Sequence, residues 1–331
     1  MMIKWPNLSK KQKIILAISF FQIVIIFIQL YKVLNVAPLV SINPIDQEDI
    51  IIDPDQNLSH FFEPKPNTLF EFKTAGFEGK FDPVVINNDG LNDRDYPINK
   101  ETDSFRILTI GDSSTFGWFV KTSENYPEQL ESKLNSTLKC TNYKKFEVIN
   151  LGVGGYDIEY ALHRLDTRGK KYDPDLLLWL IQNNDFEEIA DYLFPMSNQK
   201  YQEILNEGRI ELYRTSGITI HPGWHEAQKE LMNKMTREDI VKYQFSKLQT
   251  ISSIYNKKLV MFTFGTITKD AADLITNFSQ TNPNTYFYNS IPWMRPNTEA
   301  FPDGHPTVTG YTKIANHLFD YLQANKIIPC S

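Results

Sequence analysis

Four short segments of the chain carry residue types suited to acyl transfer, and each adjoins a stretch that must be buried. Gly111-Asp112-Ser113-Ser114-Thr115-Phe116-Gly117 follows the apolar run Phe105 to Ile110, and Gly152-Val153-Gly154-Gly155 follows Phe146 to Leu151. Asn183-Asn184-Asp185 follows Leu176 to Ile181, and Phe301-Pro302-Asp303-Gly304-His305-Pro306 precedes the amphipathic segment Val308 to Ala324. A serine hydroxyl is a weak nucleophile until an imidazole takes its proton. The imidazole in turn works best when a carboxylate fixes its tautomer and stabilises its cation. Asp303 and His305, two positions apart in one loop, are near enough for that hydrogen bond. The tetrahedral intermediate then needs donors for its oxyanion, and losing one costs ~10²- to 10³-fold in rate. The Ser113 N–H, the Gly155 N–H and the Asn184 side chain are the candidates. Glycine suits position 155, because a side chain there would obstruct approach to the backbone amide.

Such distant segments meet only if the fold gathers them. The three apolar runs do not alternate, and helix-spaced stretches separate them at Tyr126 to Leu138 and Ile158 to Arg168. Ile240 to Tyr255 and Ala271 to Phe278 also read as helices, Leu259 to Phe264 as a fourth strand and Tyr286 to Asn289 as a weak fifth. Continuous strands divided by helices predict a parallel sheet covered on both faces. In such a sheet every strand opens at its C-terminal end on the same edge, which brings the loops above together. The stretch 186–236 breaks the alternation and is expected to form a cap or specificity loop. Within it Trp224 is a candidate for the substrate pocket, with packing inside the cap as the alternative.

Gly111-Asp112-Ser113, Gly155, Asn184-Asp185 and Asp303-x-His305, in this order and after these strands, resemble the four blocks of the SGNH (GDSL-type) hydrolases. The resemblance spans roughly residues 101–325. It implies an α/β fold, a three-layer α/β/α flavodoxin-like sandwich with a five-stranded parallel sheet, and ester or acyl-group chemistry with no metal and no cofactor. It makes Ser113 the nucleophile, His305 the base and Asp303 its orienter, with Ser113, Gly155 and Asn184 forming the oxyanion hole. Asp112 and Asp185 would brace the loops. The sequence departs from the family pattern at three places. Ser114 stands where many members have leucine, and Gln182 replaces the glycine usual two residues before the asparagine of the third block. The acid lies two residues before the histidine, with Pro302 at the commoner third position. That Asp-x-His spacing also occurs among membrane-linked SGNH acetyltransferases of polysaccharide export, so the acyl acceptor can be water or a sugar hydroxyl.

Other readings of the same residues are weaker. Gly152-x-Gly154 after a strand suggests a dinucleotide fingerprint, but its third glycine falls at Asp157, where a carboxylate would oppose a pyrophosphate. Gly111 to Gly117 lacks the lysine of a phosphate-binding loop. His221 and His225 have the spacing of two metal ligands on a helix, with Pro222 and Gly223 between them and no third ligand.

Charge and hydropathy place the molecule. Of 34 basic side chains, four (Lys4, Lys10, Lys11, Lys13) fall in the first 13 residues, leaving 30 against 40 acidic groups, a net −10 for the remainder. A phosphate-neutralising surface needs the opposite balance, so no nucleic-acid partner is expected. Ile14 to Tyr31 is a run of 18 uncharged residues, about 27 Å long as a helix against a hydrocarbon core of ~30 Å. Residues 14–31 are therefore expected to form a membrane anchor, with 1–13 in the cytoplasm and the remainder periplasmic or extracellular. Asn35-Val36-Ala37-Pro38 is a poor cleavage site for the signal-peptide alternative. Seven prolines and a crowd of acids make 32–100 a stalk and irregular extension, β-rich around Leu69 to Ile86, ahead of a catalytic domain over 101–331. Cys140 ends the helix after the first strand and Cys330 trails the last helix, so an exported chain can pair them. Together these features predict a membrane-anchored serine esterase acting on an ester-bearing glycan or lipid. An O-acetyltransferase using the same site, or a non-catalytic envelope protein retaining the fold, are the alternatives.

Overall fold

The computed structural model describes residues 49–72, 81–210, 222–265 and 267–330, with Ser9, Lys11, Ser19, Gln22 and Ile23. The chain divides into two units, Met1–Ser41 and Ile42–Ser331. Of the first, Lys11, Ser19, Gln22 and Ile23 are helical, and the expected anchor 14–31 otherwise lies outside the described residues. Among the described residues no helix is long and apolar enough to cross a membrane.

The second unit is built on five parallel strands: β5 (Ser104–Ile110), β6 (Lys145–Asn150), β7 (Leu176–Leu180), β8 (Lys258–Phe264) and β9 (Thr285–Ile291), in the order β6-β5-β7-β8-β9. Their apolar runs do not alternate because both faces are covered. Leu108, Ile110, Ile149, Leu177, Trp179 and Met261 point to one cluster, which α3 (Ile158–Arg164), α7 (Arg237–Leu248) and α9 (Lys269–Thr281) complete through Ile158, Val241 and Ile275. Ile107, Val148, Leu178, Val260 and Phe262 point to the other, closed by α2 (Tyr126–Thr137) and α10 (Val308–Ala324) through Leu130, Leu134, Ile314 and Leu318. Helix α2 starts where Asn125 Oδ1 accepts the Glu128 amide at 2.9 Å with Pro127 in the first turn, a cap that satisfies one orphan donor.

Of the expected stalk and irregular extension, residues 49–72 and 81–100 are described and form short strands packed on the sheet. β1 (Ile50–Ile52) pairs antiparallel with β2 (Phe62–Pro64), and β3 (Leu69–Phe70) with β4 (Val84–Val85). Phe61 and Phe62 are buried against Tyr156 and Tyr160. Glu63 is enclosed by Arg164 and Arg168, each at 2.8 Å. The prolines here limit strand length. In the insertion at 186–236, α5 (Ala190–Asn206) packs on α6 (Pro222–Lys234) as a helical pair.

Helices α2 and α10 run away from the C-terminal edge of the sheet, and the segments beyond them meet. Cys140 and Cys330 form a disulfide with their Cα atoms 4.8 Å apart and 190 positions between them in sequence. Closing so long a loop removes unfolded-state entropy worth about 5 kcal/mol. Cys140→Ser should therefore lower the urea midpoint markedly, and the wild-type mass should rise by two hydrogens only after reduction. An unchanged midpoint would show that the bond adds nothing.

Candidate active site

The C-terminal ends of β5 and β7 and the loop before α10 converge. Ser113 opens a single turn of helix, α1 (Ser113–Phe116), directly after β5. His305 Nε2 lies 2.7 Å from Ser113 Oγ, and His305 Nδ1 lies 2.8 Å from Asp303 Oδ2. An ionised carboxylate only accepts, so Nδ1 carries the ring proton and Nε2 is left to accept from the serine hydroxyl. Asp303 Oδ1 also takes the His305 amide at 3.1 Å, and the Phe301 amide donates to the His305 carbonyl at 2.8 Å. The loop is fixed from behind by Glu299. Its carboxylate receives Arg295 at 2.8 Å and Lys313 at 2.9 Å, which hold it down at about 2.

The expected braces sit around this pair. Asp112 caps α1, its Oδ1 accepting the Ser114 amide at 2.9 Å, and its Oδ2 receives Asn184 Nδ2 at 3.1 Å. Asn184 belongs to α4 (Asn183–Glu187), whose start is closed by Asp185 Oδ2 accepting the Gln182 amide at 2.6 Å. Burial, and then the nearby Asp112, push the Asp185 carboxyl well above the usual carboxylate range. The Ser114 amide goes to the Asp112 side chain and those of Thr115 and Phe116 to its carbonyl. Ser113 N–H stands at the first helical position, where a helix offers no internal partner. Gly155 takes φ 77°, a left-handed conformation that favours glycine. Asp157, the residue that argued against a dinucleotide site, caps α3 by accepting the Tyr160 amide at 2.9 Å. His221 lies outside the described residues.

No protein-family model and no curated protein matches the sequence. Among solved structures the chain is similar to a two-domain esterase (CEX) active on acetylated mannans, with a TM-score of 0.42 and 13% identity, covering 70% of this chain and 52% of that one. It is similar to TesA, with a TM-score of 0.41, 13% identity and coverage of 66% and 98%. A third likeness is to a family 3 carbohydrate esterase of Clostridium thermocellum, with a TM-score of 0.40, 15% identity and coverage of 69% and 100%. The chain thus spans about half the length of the two-domain esterase.

Several residues at the site have no counterpart in the sequence motifs. Trp118 stacks on the His305 ring at 6.1 Å, and Phe119 meets it edge-on at 5.5 Å. Phe119 does so from φ 67°, where bulky residues are rarely found. Behind them pack Phe70, Phe72 and Phe81 from the N-terminal extension. Asn92 of the same extension donates to the Phe116 carbonyl at 2.9 Å, closing the end of α1. Gln182 Nε2 reaches Ser114 Oγ at 2.8 Å and both Asp112 oxygens at 3.2 Å. Its place beside the serine loop was visible only as a departure from the family pattern. Trp224, by contrast, is no pocket residue. It is 7% exposed and packs with Leu193, Ala227, Leu231 and Ile240 inside the cap, its indole N–H donating to Glu188 at 3.2 Å.

Gly154 shows why the loop Gly152-Val153-Gly154-Gly155 carries no side chain at that position. A Cβ there would lie 2.7 Å from Trp118 Cζ3, and Trp118 is wedged between that loop and His305. Gly154→Ala should displace the indole and the imidazole with it, lowering kcat about 10- to 100-fold and stability by about 1–3 kcal/mol. Steady-state kinetics beside urea unfolding checks this. Full kcat with normal stability would mean that Trp118 does not hold the histidine.

Proposed function

We propose that the chain is a membrane-anchored serine esterase that removes small acyl groups, acetyl-like in size, from an envelope glycan or lipid. The observation that carries this reading is the continuous relay from Ser113 Oγ through both ring nitrogens of His305 to Asp303 Oδ2, made by residues 192 positions apart. Ser113 Oγ attacks the acyl carbon while its proton passes to His305 Nε2. The resulting oxyanion is held by the Ser113 and Gly155 amides and by Asn184, whose Nδ2 has two hydrogens and spends one on Asp112. Collapse expels the alcohol, which takes the proton from His305. Water then attacks the acyl-enzyme, giving a proton to His305, and the acid leaves as Ser113 recovers it. The disulfide and the lysines ahead of residue 14 support a catalytic domain on the periplasmic or extracellular side.

The Asp303-x-His305 spacing favours one second reading, in which a sugar hydroxyl replaces water in the final step. Incubating the full chain with 4-nitrophenyl acetate separates the two. Acetate released without any sugar marks an esterase, and an acetylated product formed only with added glycan marks a transferase. No turnover and no covalent labelling of Ser113 by a fluorophosphonate would overturn both.

A further inference from the structure

Beside the serine loop, on the side of Asn184, a cleft of about 320 Å³ opens along the C-terminal edge of the sheet. Gln182 and Asn184 form the wall it shares with Asp112 and Ser114. Its far end is Trp293, beyond β9, a large aromatic side chain left 60% exposed. A Cβ on Gly265 would fall 2.5 to 2.7 Å from three atoms of that indole. The indole therefore packs closely on Gly265, and its exposed remainder is the part on offer. The Trp293 carbonyl is tied to Lys313 Nζ at 2.9 Å. Between these ends stands Glu188. Its Oε1 receives both the Trp224 indole N–H and the Gln228 amide, which leaves Oε2 as the oxygen available to a ligand. Burial pushes this carboxyl up to about 7, so near neutrality it can accept from a hydroxyl or donate to one. Neighbouring Glu187 is held by Arg237 at 2.8 and 2.9 Å.

The lining selects a ligand class. An acyl chain would find Phe264 and Ile267 but would strip water from four amides and two carboxyl groups and return no hydrogen bond to them. An anion would face Glu187 and Glu188. A neutral ring with C–H faces and hydroxyl edges suits both the bare indole and the ring of planar polar groups. We propose that this cleft is a pyranose subsite: a sugar ring lies on the exposed part of the Trp293 indole, bonded through its hydroxyls to Gln182, Glu188 and Gln228, and presents its acyl ester across Asn184 to Ser113. The proposal rests on the acyl-transfer reading of Ser113 and chooses glycan over lipid as the carrier of the ester. It also gives the cap its use, since α6 supplies Gln228 and, through Trp224, the orientation of Glu188.

The test uses the full chain and compares kcat/KM for acetylated xylan, mannan and glucan oligosaccharides with that for 4-nitrophenyl acetate. The ratio of sugar ester to aryl ester is the readout. Trp293→Ala should lower it about 10- to 30-fold for the preferred sugar, and Trp293→Phe should restore most of it. A ratio unmoved by Trp293→Ala, or a wild type that hydrolyses the aryl ester and none of the sugars, overturns the subsite and leaves the esterase reading standing. If neither ester turns over and a fluorophosphonate leaves Ser113 unlabelled, the acyl-transfer reading fails. The subsite is then decided by saturation-transfer NMR with the unacetylated oligosaccharides. A signal lost in Trp293→Ala supports it, and no signal in the wild type overturns it.

Discussion

Ser113→Ala should lower ester hydrolysis by about 10⁶-fold and abolish labelling by a fluorophosphonate, with no change in unfolding midpoint. The size of the effect follows from the relay being one unit. With Oγ gone, His305 has no proton to take and no acyl-enzyme forms; what survives is binding and oxyanion stabilisation acting on water. His305→Ala should cost nearly as much, because the hydroxyl at 2.7 Å then keeps its proton. The double variant should be little worse than either single one. Asp303→Asn is expected to cost about 10⁴-fold, because an amide in place of Oδ2 can donate to Nδ1 and so favour the wrong tautomer. The hydroxyl and imidazole keep their positions in that variant, so slow labelling should remain. Equal, small losses in all three, or full labelling of Ser113→Ala, would place the chemistry elsewhere.

The relay was legible because a parallel sheet converts sequence order into spatial order: Ser113, Asn184 and the Asp303–His305 loop each flank a strand or helix whose buried residues announce it. The same logic placed Cys140 and Cys330 at one end of the molecule. What surrounds the relay was not legible. Phe70, Phe72 and Phe81 belong to a segment with no period, so nothing in their spacing directs them to Trp118 and Phe119. Trp224 and Trp293 are the same residue type in comparable irregular contexts. Only the folded neighbours decide that one is sealed among Leu193 and Leu231 while the other rests on Gly265 and stays 60% exposed. The packing partners of the extension were hidden for a related reason. Proline spacing limits regular structure, but it says nothing about whether Phe61 and Phe62 find partners, and here Tyr156 and Tyr160 supply them.

Those partners tie the extension to the loop that carries Gly155, and Glu63→Gln is the substitution that tests the tie. Glu63 and Arg164 have side chains 6% and 1% exposed, their atoms 2.8 Å apart, with Arg168 on the second carboxylate oxygen. Removing the negative charge leaves Arg164 buried without a counter-ion, which should cost about 3–5 kcal/mol in urea unfolding. Replacing the pair together, Glu63→Leu with Arg164→Met, should cost much less than the two single changes added, since no charge is then stranded. Burial alone would raise the Glu63 carboxyl, but Arg164 and Arg168 outweigh it and hold the group below its ordinary 4.5. Its stabilisation is therefore complete above about pH 4.5 and is lost as acid titrates the group through its lowered pKa, and Glu63→Gln should remove that part of the acid sensitivity. The effect on turnover follows from the adjacent residue. The Phe62 carbonyl accepts the Tyr156 hydroxyl, and Tyr156 follows Gly155 directly in the chain. Loosening β2 should thus free the loop that carries Gly155, the proposed oxyanion donor. In mild urea Glu63→Gln should lose esterase activity before its global unfolding transition, while the wild type loses both together. Coincident loss in the variant would mean that β2 stabilises the domain without bracing the site.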